Sequence, residues 1–239
     1  MKVKTYSNHY NIDGVKYDRV TEVLGYFTPK PLVKWMMRNG SAEAEEISKL
    51  ARTIGKRVDK IATAIVLNKS WKITEADHPA VNTCVEAFKR WMSEEQIVIT
   101  DTQILCYDTD IRIAGTRDLS TVDTIIDIKC SNRINLSYWL QLAAYHHLAK
   151  LPNLTHIAVL RLDKLTGDYE YVRIPYNPLL WQQYLTLLSY YRYSNIYVNK
   201  DKGGETREVF NVANTEFERK FGVYAPAPTP NWTKFHDEI

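Results

Sequence analysis

The stretch IAGTRDLSTVDTIIDIKC, residues 113–130, contains two short runs of apolar and β-branched residues on either side of a polar turn. Such runs predict strands, and the polar turn between them, at 120–123, predicts that they pair as a hairpin. A third run precedes them, separated by the polar residues 108–110. We therefore predict a three-stranded antiparallel meander with strands at 103–107, 111–119 and 124–130.

Outward from this meander, the pattern alternates between helices and strands. After it, we predict a helix at 136–150, strands at 157–160 and 169–174, and a helix at 178–193. Before it, Pro79 is suited to the first turn of a helix at 79–94. This order predicts an α/β fold whose core is the meander, a helix and further strands.

The region before the core is predicted to be mainly helical. Its longest pattern has apolar residues at alternating spacings of three and four, as on one face of a helix: Ala44, Ile47, Ala51, Ile54, Val58, Ile61 and Ile65. A small hairpin with an Asp13-Gly14 turn precedes the helices. We predict a helical N-terminal part at 1–76, the core at 77–200 and a C-terminal extension at 201–239 that contains a Pro-rich arm.

Composition limits the class of protein. The 239 residues include 31 Lys and Arg against 28 Asp and Glu, and a net charge of +3 neither requires nor excludes a polyanionic partner. The three cysteines, Cys84, Cys106 and Cys130, are an odd and widely spaced set, which favours a reducing compartment over a disulfide framework. No apolar run approaches about 18 residues, so no membrane span is predicted.

Acidic and basic side chains converge on the predicted meander. Asp127 and Lys129 are two residues apart on a strand, so both leave the same face. A hairpin would bring Asp118 close to Asp127, and a charge among isoleucines is unusual unless it is paired or bound to metal. Carboxylates that hold Mg²⁺ beside an ammonium group are suited to phosphodiester hydrolysis. On strand patterning alone, an ordinary cross-strand ion pair on a solvated face explains these residues equally well.

The next predicted helix adds Gln141 and Tyr145, which lie one turn apart on one face. Together with the meander, the chain resembles the PD-(D/E)XK nuclease superfamily, in particular its RecB-like exonuclease branch. That branch includes the mitochondrial genome maintenance exonuclease and the CRISPR-adaptation nucleases. The family's Gly-x-x-Asp strand matches 115–118, its Asp/Glu-x-Lys strand matches 127–129, and its Gln-x-x-x-Tyr helix matches 141–145.

The resemblance implies a role for each matched residue. Asp118 and Asp127 would bind Mg²⁺ or Mn²⁺ with the backbone carbonyl of Ile128, and Lys129 would be the catalytic lysine. Gln141 and Tyr145 would support the lysine or contact the substrate backbone. Asp59 stands where the family usually has a metal-binding His; it is a competent ligand for a hard cation, and a solvated residue is an equal alternative.

Two further expectations concern cofactors and DNA. Family members with an iron–sulfur cluster use four cysteines, a set that this chain does not reproduce, so we expect no cluster. The resemblance makes DNA the expected partner. Five basic residues are candidates for contact with its phosphates: Arg52, Lys56, Arg57, Lys60 and Arg117. The first four lie beside the long apolar stripe, where a solvated helix face is the commoner explanation. Arg117 directly precedes Asp118 of the Gly-x-x-Asp strand.

The resemblance therefore implies a metal-dependent DNA exonuclease that acts at single-stranded or duplex DNA ends in recombination, repair or genome processing. A structure-specific or site-specific endonuclease on the same fold is one alternative, and a non-catalytic DNA-binding module is another. A catalytic domain of this size fits the cytoplasm of a bacterial or phage-infected cell, with a recombination, single-strand-binding or helicase protein as a possible partner. No membrane association is expected.

Overall fold

A computed structural model describes residues 1–27 and 30–200 of the chain. Contacts place Met1–Tyr191 in one compact unit. A second unit starts at Arg192, and of it the structure describes only the last turns of a helix. The predicted C-terminal extension at 201–239 lies outside the described residues.

The elements alternate as an α/β fold. The strands are β1 (Val3–Thr5), β2 (His9–Ile12), β3 (Val15–Arg19), β4 (Asp101–Asp108), β5 (Ile113–Ser120), β6 (Thr124–Lys129), β7 (His156–Leu162) and β8 (Tyr169–Pro175). The helices are α1 (Val20–Gly25), α2 (Lys30–Asn39), α3 (Ser41–Val66), α4 (Pro79–Glu94), α5 (Leu136–Ala149) and α6 (Pro178–Lys200). The predicted α/β class, with its antiparallel meander, helix and further strands, is confirmed.

All eight strands form one mixed sheet. Its order is β1-β2-β3-β5-β6-β7-β8, and β4 also pairs with β5. The pairs β3–β5 and β6–β7 are parallel, and the others are antiparallel. One apolar cluster packs α1, α5 and α6 against the sheet, and a second packs α3 and α4 against it. None of the helices in the described ranges is long and apolar enough to cross a membrane.

The pairing of β5 leaves a gap in the sheet. β4 follows one edge of β5 along its whole length. On the other edge, β3 pairs only with Ile113 and Ala114, while β6 pairs only with Leu119 and Ser120. Among the described residues, the middle of β5, residues 115–118, therefore has no strand partner on this edge.

The N-terminal part contains the helices α1, α2 and α3 and, before them, more strand than the one small hairpin that was predicted. Residues 3–19 contain three strands, and β3 joins the central sheet beside β5. The small hairpin was expected, but its place in the sheet was not, because only two residue pairs connect β3 to a strand about a hundred residues away in the chain. Contacts show no separation at the predicted boundary between residues 76 and 77, since both sides belong to the unit Met1–Tyr191.

Candidate active site

The gap beside β5 opens into a cavity of about 300 Å³. Residues from β2, β3, α1, β4, β5, β6 and α5 line it, so seven elements converge at this point: Tyr10, Arg19, Val20, Thr21, Gln103, Ala114, Gly115, Thr116, Asp118, Asp127, Lys129, Gln141 and Tyr145. The five residues that the sequence assigned to catalysis are all among them. The structure therefore brings together Asp118, Asp127, Lys129, Gln141 and Tyr145.

Asp118 lies where β5 and β6 separate. The last pairs of their ladder are Ser120 with Ile125 and Leu119 with Ile126, so Asp118 and Asp127 would form the next pair. Instead, the carboxylate of Asp118 takes the place of a backbone acceptor, because its Oδ2 accepts a hydrogen bond of 2.9 Å from the backbone N–H of Ile128. This bond satisfies a buried donor at the end of the ladder and holds Asp118 against the segment Asp127–Lys129.

Gln141 connects the acidic, basic and phenolic groups. Its Nε2 donates to Asp127 Oδ1 at 2.8 Å and to Tyr145 Oη at 3.2 Å. Its Oε1 accepts from Lys129 Nζ at 3.2 Å. Lys129 Nζ also lies 2.6 Å from Asp127 Oδ2 and 5.1 Å from the ring centroid of Tyr138. Both donors and the acceptor of the amide are used, so Gln141 has one orientation and fixes its neighbours.

The charges of the site affect one another. Burial raises the pKa of Asp118 well above its usual value, and the charge of Asp127 raises it further. Burial also raises the pKa of Asp127, although Lys129 opposes this. Burial alone would lower the pKa of Lys129, but the charges of Asp127 and Asp118 outweigh it and the pKa rises. Lys129 is therefore an ammonium at neutral pH and cannot act there as a general base.

The donor set fits a hard divalent cation. Its oxygens are the carboxylates of Asp118 and Asp127, which both line the cavity, and Asp127 Oδ2 lies 2.6 Å from Lys129 Nζ. Within residues 1–27 and 30–200, no three Asp, Glu, His or Cys side chains form a complete metal-binding group. Mg²⁺ usually takes only one or two carboxylates and completes its shell with water and substrate phosphate. Asp118 and Asp127 are therefore a sufficient pair.

Asp59 lies on α3 beside this pair and is half-buried. Its Oδ1 accepts a hydrogen bond of 2.8 Å from Gln103 Nε2, which links α3 to β4. Burial raises the pKa of Asp59, and the charge of Asp127 contributes to the rise. Its carboxylate is thus part of the same electrostatic cluster, whereas its role as a ligand remains a prediction.

Two of the five basic residues predicted to contact DNA have partners inside the protein. Arg57 Nε and Nη2 donate to the two oxygens of Asp77 at 2.7 and 3.0 Å, and the guanidinium lowers the pKa of Asp77 to about 2. Arg117 is only 5% exposed and pairs with Asp101 at 3.4 Å. The sequence did not indicate these partners, because a basic residue by itself does not show which carboxylate folding brings to it. Contact of Arg57 and Arg117 with DNA stays a prediction. Arg52, Lys56 and Lys60 are exposed and remain candidates.

The sequence analysis did not identify the wall of the cavity that β2 and β3 provide. Arg19 lies over the Tyr10 ring, with Cζ 5.3 Å from the centroid, and its Nη1 donates to the carbonyl of Tyr6 at 3.0 Å. Tyr10 Oη lies 3.3 Å from Thr116 Oγ1. These groups add a cation and two hydroxyls to the cavity. The sequence carried no local signal for this wall, because Tyr10 and Arg19 precede the meander by about a hundred residues.

Gly115 is required by the ring of Tyr145. A Cβ atom at this position would lie 2.5 Å from Tyr145 Cε1, and that ring is only 3% exposed. We expect Gly115→Ala to lower the free energy of unfolding by about 1–3 kcal/mol, as overpacking does. Urea denaturation measures the change.

Gly55 provides the matched control, because a Cβ atom there meets nothing within 4 Å. Gly55 lies inside α3, where Ala is favoured over Gly by about 0.5–1 kcal/mol. Gly55→Ala is therefore expected to stabilise the protein. Equal stability of the Gly115→Ala and wild-type proteins would show that the Tyr145 ring can move aside.

Charge repulsion in the site also has a cost in stability. In the unfolded chain, the pKa of a carboxyl group is about 4. If folding raises this pKa, the folded protein loses stability as the pH increases above about 4. Asp118→Asn removes this cost and keeps an oxygen that can accept from Ile128. In EDTA, we expect the variant to gain about 1 kcal/mol at pH 8 and less at pH 5, as measured by urea denaturation.

Asp168→Asn is the control, because the Asp168 side chain is 71% exposed. It should change the stability little at either pH. A lower stability of Asp118→Asn than of the wild type at pH 8 would contradict the repulsion, and so would a gain that does not increase with pH.

No protein-family profile matches the chain, and no curated protein sequence matches it. Several solved structures that are named as exonucleases are similar to the chain. The alkaline exonuclease LHK-Exo from Laribacter hongkongensis is 14% identical, with a TM-score of 0.44 over 78% of this chain and 93% of that one. LHK-Exo in complex with dAMP is 15% identical, with a TM-score of 0.40 over 62% and 84%. A phage-related exonuclease from Haemophilus somnus 129PT is 13% identical, with a TM-score of 0.39 over 61% and 82%.

Proposed function

We propose that the chain is a PD-(D/E)XK nuclease that hydrolyses phosphodiester bonds at DNA ends with Mg²⁺ or Mn²⁺, in recombination, repair or genome processing. The observation that carries the proposal is the convergence of Asp118, Asp127 and Lys129 at one cavity, held in place by Gln141. With Gln141, these residues come from three different elements, and the single ammonium group of Lys129 faces two carboxylates. A surface ion pair would not need a buried amide to position it.

Each side chain has a task in this reaction. Asp118 and Asp127 would hold the cation together with the carbonyl of Ile128. When bound, the cation would polarise the phosphate and lower the pKa of a bound water. Lys129, which remains protonated, would orient the water and stabilise the negative charge that develops on the phosphorus oxygens. Tyr145 has a pKa raised by burial and then by Asp127, so its phenol remains protonated and can donate.

The opposite wall would hold the substrate. Arg19 brings a guanidinium to the cavity, and Tyr10 and Thr116 bring hydroxyls. Cationic and hydroxyl donors are common partners of DNA phosphates. On α3, the exposed Arg52, Lys56 and Lys60 would attract phosphates of the DNA backbone that lie further from the bond that is cleaved.

Digestion of end-labelled DNA tests the proposal. Linear single-stranded, linear duplex and closed circular DNA are incubated with the full chain in Mg²⁺, in Mn²⁺ and in EDTA. We expect short products from linear DNA with either metal, and none from circular DNA or in EDTA. Cleavage of circular DNA would establish an endonuclease, and binding without cleavage under every metal would establish a non-catalytic DNA-binding module.

A further inference from the structure

The face of α5 that meets the cavity begins with an aromatic ring. Tyr138 lies three residues before Gln141, which lies four residues before Tyr145, so the three side chains share one face of the helix. Tyr138 is partly buried against the apolar cluster that packs α1, α5 and α6 on the sheet. The centroid of its ring is 5.1 Å from Lys129 Nζ, within the range of a cation–π interaction. The ring therefore lies against the ammonium group of the site.

The oxygen partners of Lys129 leave part of its ammonium group unused. Asp127 Oδ2 lies 2.6 Å from Nζ, and Gln141 Oε1 accepts from it at 3.2 Å. An ammonium group has three N–H donors, so beyond these two partners among the described residues one donor remains for water or a phosphate oxygen. At 5.1 Å, the ring of Tyr138 attracts the charge and does not take up that donor.

The Tyr138 ring is itself held by the loop between β6 and α5. Asn135 Nδ2 donates to Tyr138 Oη at 3.2 Å and to the carbonyl of Arg133 at 3.4 Å. Ser131 Oγ donates to the same carbonyl at 3.0 Å. These bonds tie the ring to the segment that follows Lys129 in the chain. The ring and the lysine are therefore held by neighbouring parts of one loop and strand.

Lysine has a long and flexible stem, and the side chain of Lys129 is still 21% exposed. We propose that Tyr138 is a positioning residue that holds the Lys129 ammonium at the cavity through a cation–π interaction. The inference rests on the proposed function in that Lys129 is the lysine that the nuclease would use. Tyr138 does not touch DNA and acts through Lys129.

Cleavage kinetics of the full chain with substituted rings test this. Tyr138→Leu removes the ring and keeps an apolar side chain. We expect its kcat to fall about 3- to 30-fold, the range that one cation–π contact supports. The KM for DNA should not change, because Tyr138 does not bind the substrate. Tyr138→Phe keeps the ring and should retain the wild-type kcat.

Fluorinated rings separate attraction from packing. Phenylalanines with one, two or three ring fluorines at position 138 have nearly the same shape, but each fluorine withdraws electron density from the face of the ring. We expect kcat to fall stepwise along this series, because the ring attracts a cation through its negative face. A ring that only fills space would give equal rates. Equal rates in the series, a wild-type rate in Tyr138→Leu, or equal losses in Tyr138→Leu and Tyr138→Phe would overturn the inference.

Trp71→Leu is the matched control. Within residues 1–27 and 30–200, Trp71 belongs to the other pair of a lysine with an aromatic ring, since its centroid lies 6.0 Å from Lys89 Nζ. Trp71 is 37% exposed and does not line the cavity. This variant should cleave DNA with the wild-type kcat. Thermal unfolding of each variant shows whether its fold is intact.

Nuclear magnetic resonance detects the contact without any cleavage. Protons over the face of an aromatic ring resonate upfield, so we expect an upfield ε-methylene signal from Lys129 in protein labelled with ¹³C-lysine. Lys129→Met identifies this signal by its loss. Tyr138→Leu should return it to the usual position, and Trp71→Leu should leave it in place. An unshifted signal in the wild type would overturn the inference. An upfield signal in a protein that cleaves no DNA would refute the nuclease and leave the contact between Tyr138 and Lys129 standing.

Discussion

Lys129→Met is expected to lower the rate of DNA cleavage by about 10²- to 10³-fold, the usual effect of removing one group that stabilises transition-state charge. Lys129 is an ammonium because the charges of Asp127 and Asp118 raise its pKa. Met retains the length and the apolar stem that pack beside Tyr138 but carries no charge. Initial rates on an end-labelled linear substrate at saturating Mg²⁺ measure the loss.

Lys89→Met is the matched control, since the side chain of Lys89 is 45% exposed on α4, where it pairs with Glu86 and lies 6.0 Å from the ring centroid of Trp71. It should cleave at the wild-type rate. Mn²⁺ binding by Lys129→Met should persist, because the variant removes no ligand. A wild-type rate in Lys129→Met, with a normal unfolding transition, would refute the assignment of the Asp-x-Lys strand as catalytic.

Asp127→Asn is expected to have the larger effect, a loss of about 10³-fold or more in cleavage. The metal contributes several kcal/mol of transition-state stabilisation, and each 1.4 kcal/mol corresponds to a tenfold change in rate. Asn has nearly the same shape and can still accept from Gln141 Nε2, so the network around α5 is preserved. The variant lacks the negative charge that would hold the cation. Cleavage rates and Mn²⁺ titration, measured together, test both effects.

Asp168→Asn makes the same chemical change at an exposed position and should alter neither measurement. An Asp127→Asn protein that binds Mn²⁺ and cleaves DNA normally would exclude Asp127 from the metal site. Loss of cleavage with unchanged Mn²⁺ binding would mean that Asp127 acts on the substrate or on Lys129 instead.

Much of the proposed centre was predictable because its residues are close in the chain. Asp118, Asp127, Lys129, Gln141 and Tyr145 fall within one strand, turn, strand and helix unit. Hairpin pairing brings Asp118 to Asp127, and helical spacing places Gln141 one turn from Tyr145. These relations are local and depend on the periods of strands and helices, so the sequence indicates which of these residues lie close together. Their assignment as a nuclease site came from the resemblance of the motifs to a known family.

The partners of the basic residues were not predictable in this way. Arg57 and Arg117 resemble Arg52 and Lys56 in the sequence, yet the first two bind Asp77 and Asp101. Which carboxylate a guanidinium meets depends on how helices and loops pack, and no local period records it. A prediction of DNA contact from charge alone therefore cannot separate residues that hold the fold together from those that face solvent.

The local pattern of the chain carries the α/β class and the meander. The order of Asp118, Asp127, Lys129, Gln141 and Tyr145 matches the motifs of the family that the chain resembles, and these residues are also close in the chain. The gap in the sheet, the wall formed by Arg19 and Tyr10, and the bond from Gln103 to Asp59 arise only on folding. They join segments separated by 44 residues in the case of Asp59 and Gln103 and by 106 in the case of Tyr10 and Thr116. Such contacts form when whole elements pack to bury apolar surface, and only then does the cavity acquire its donors.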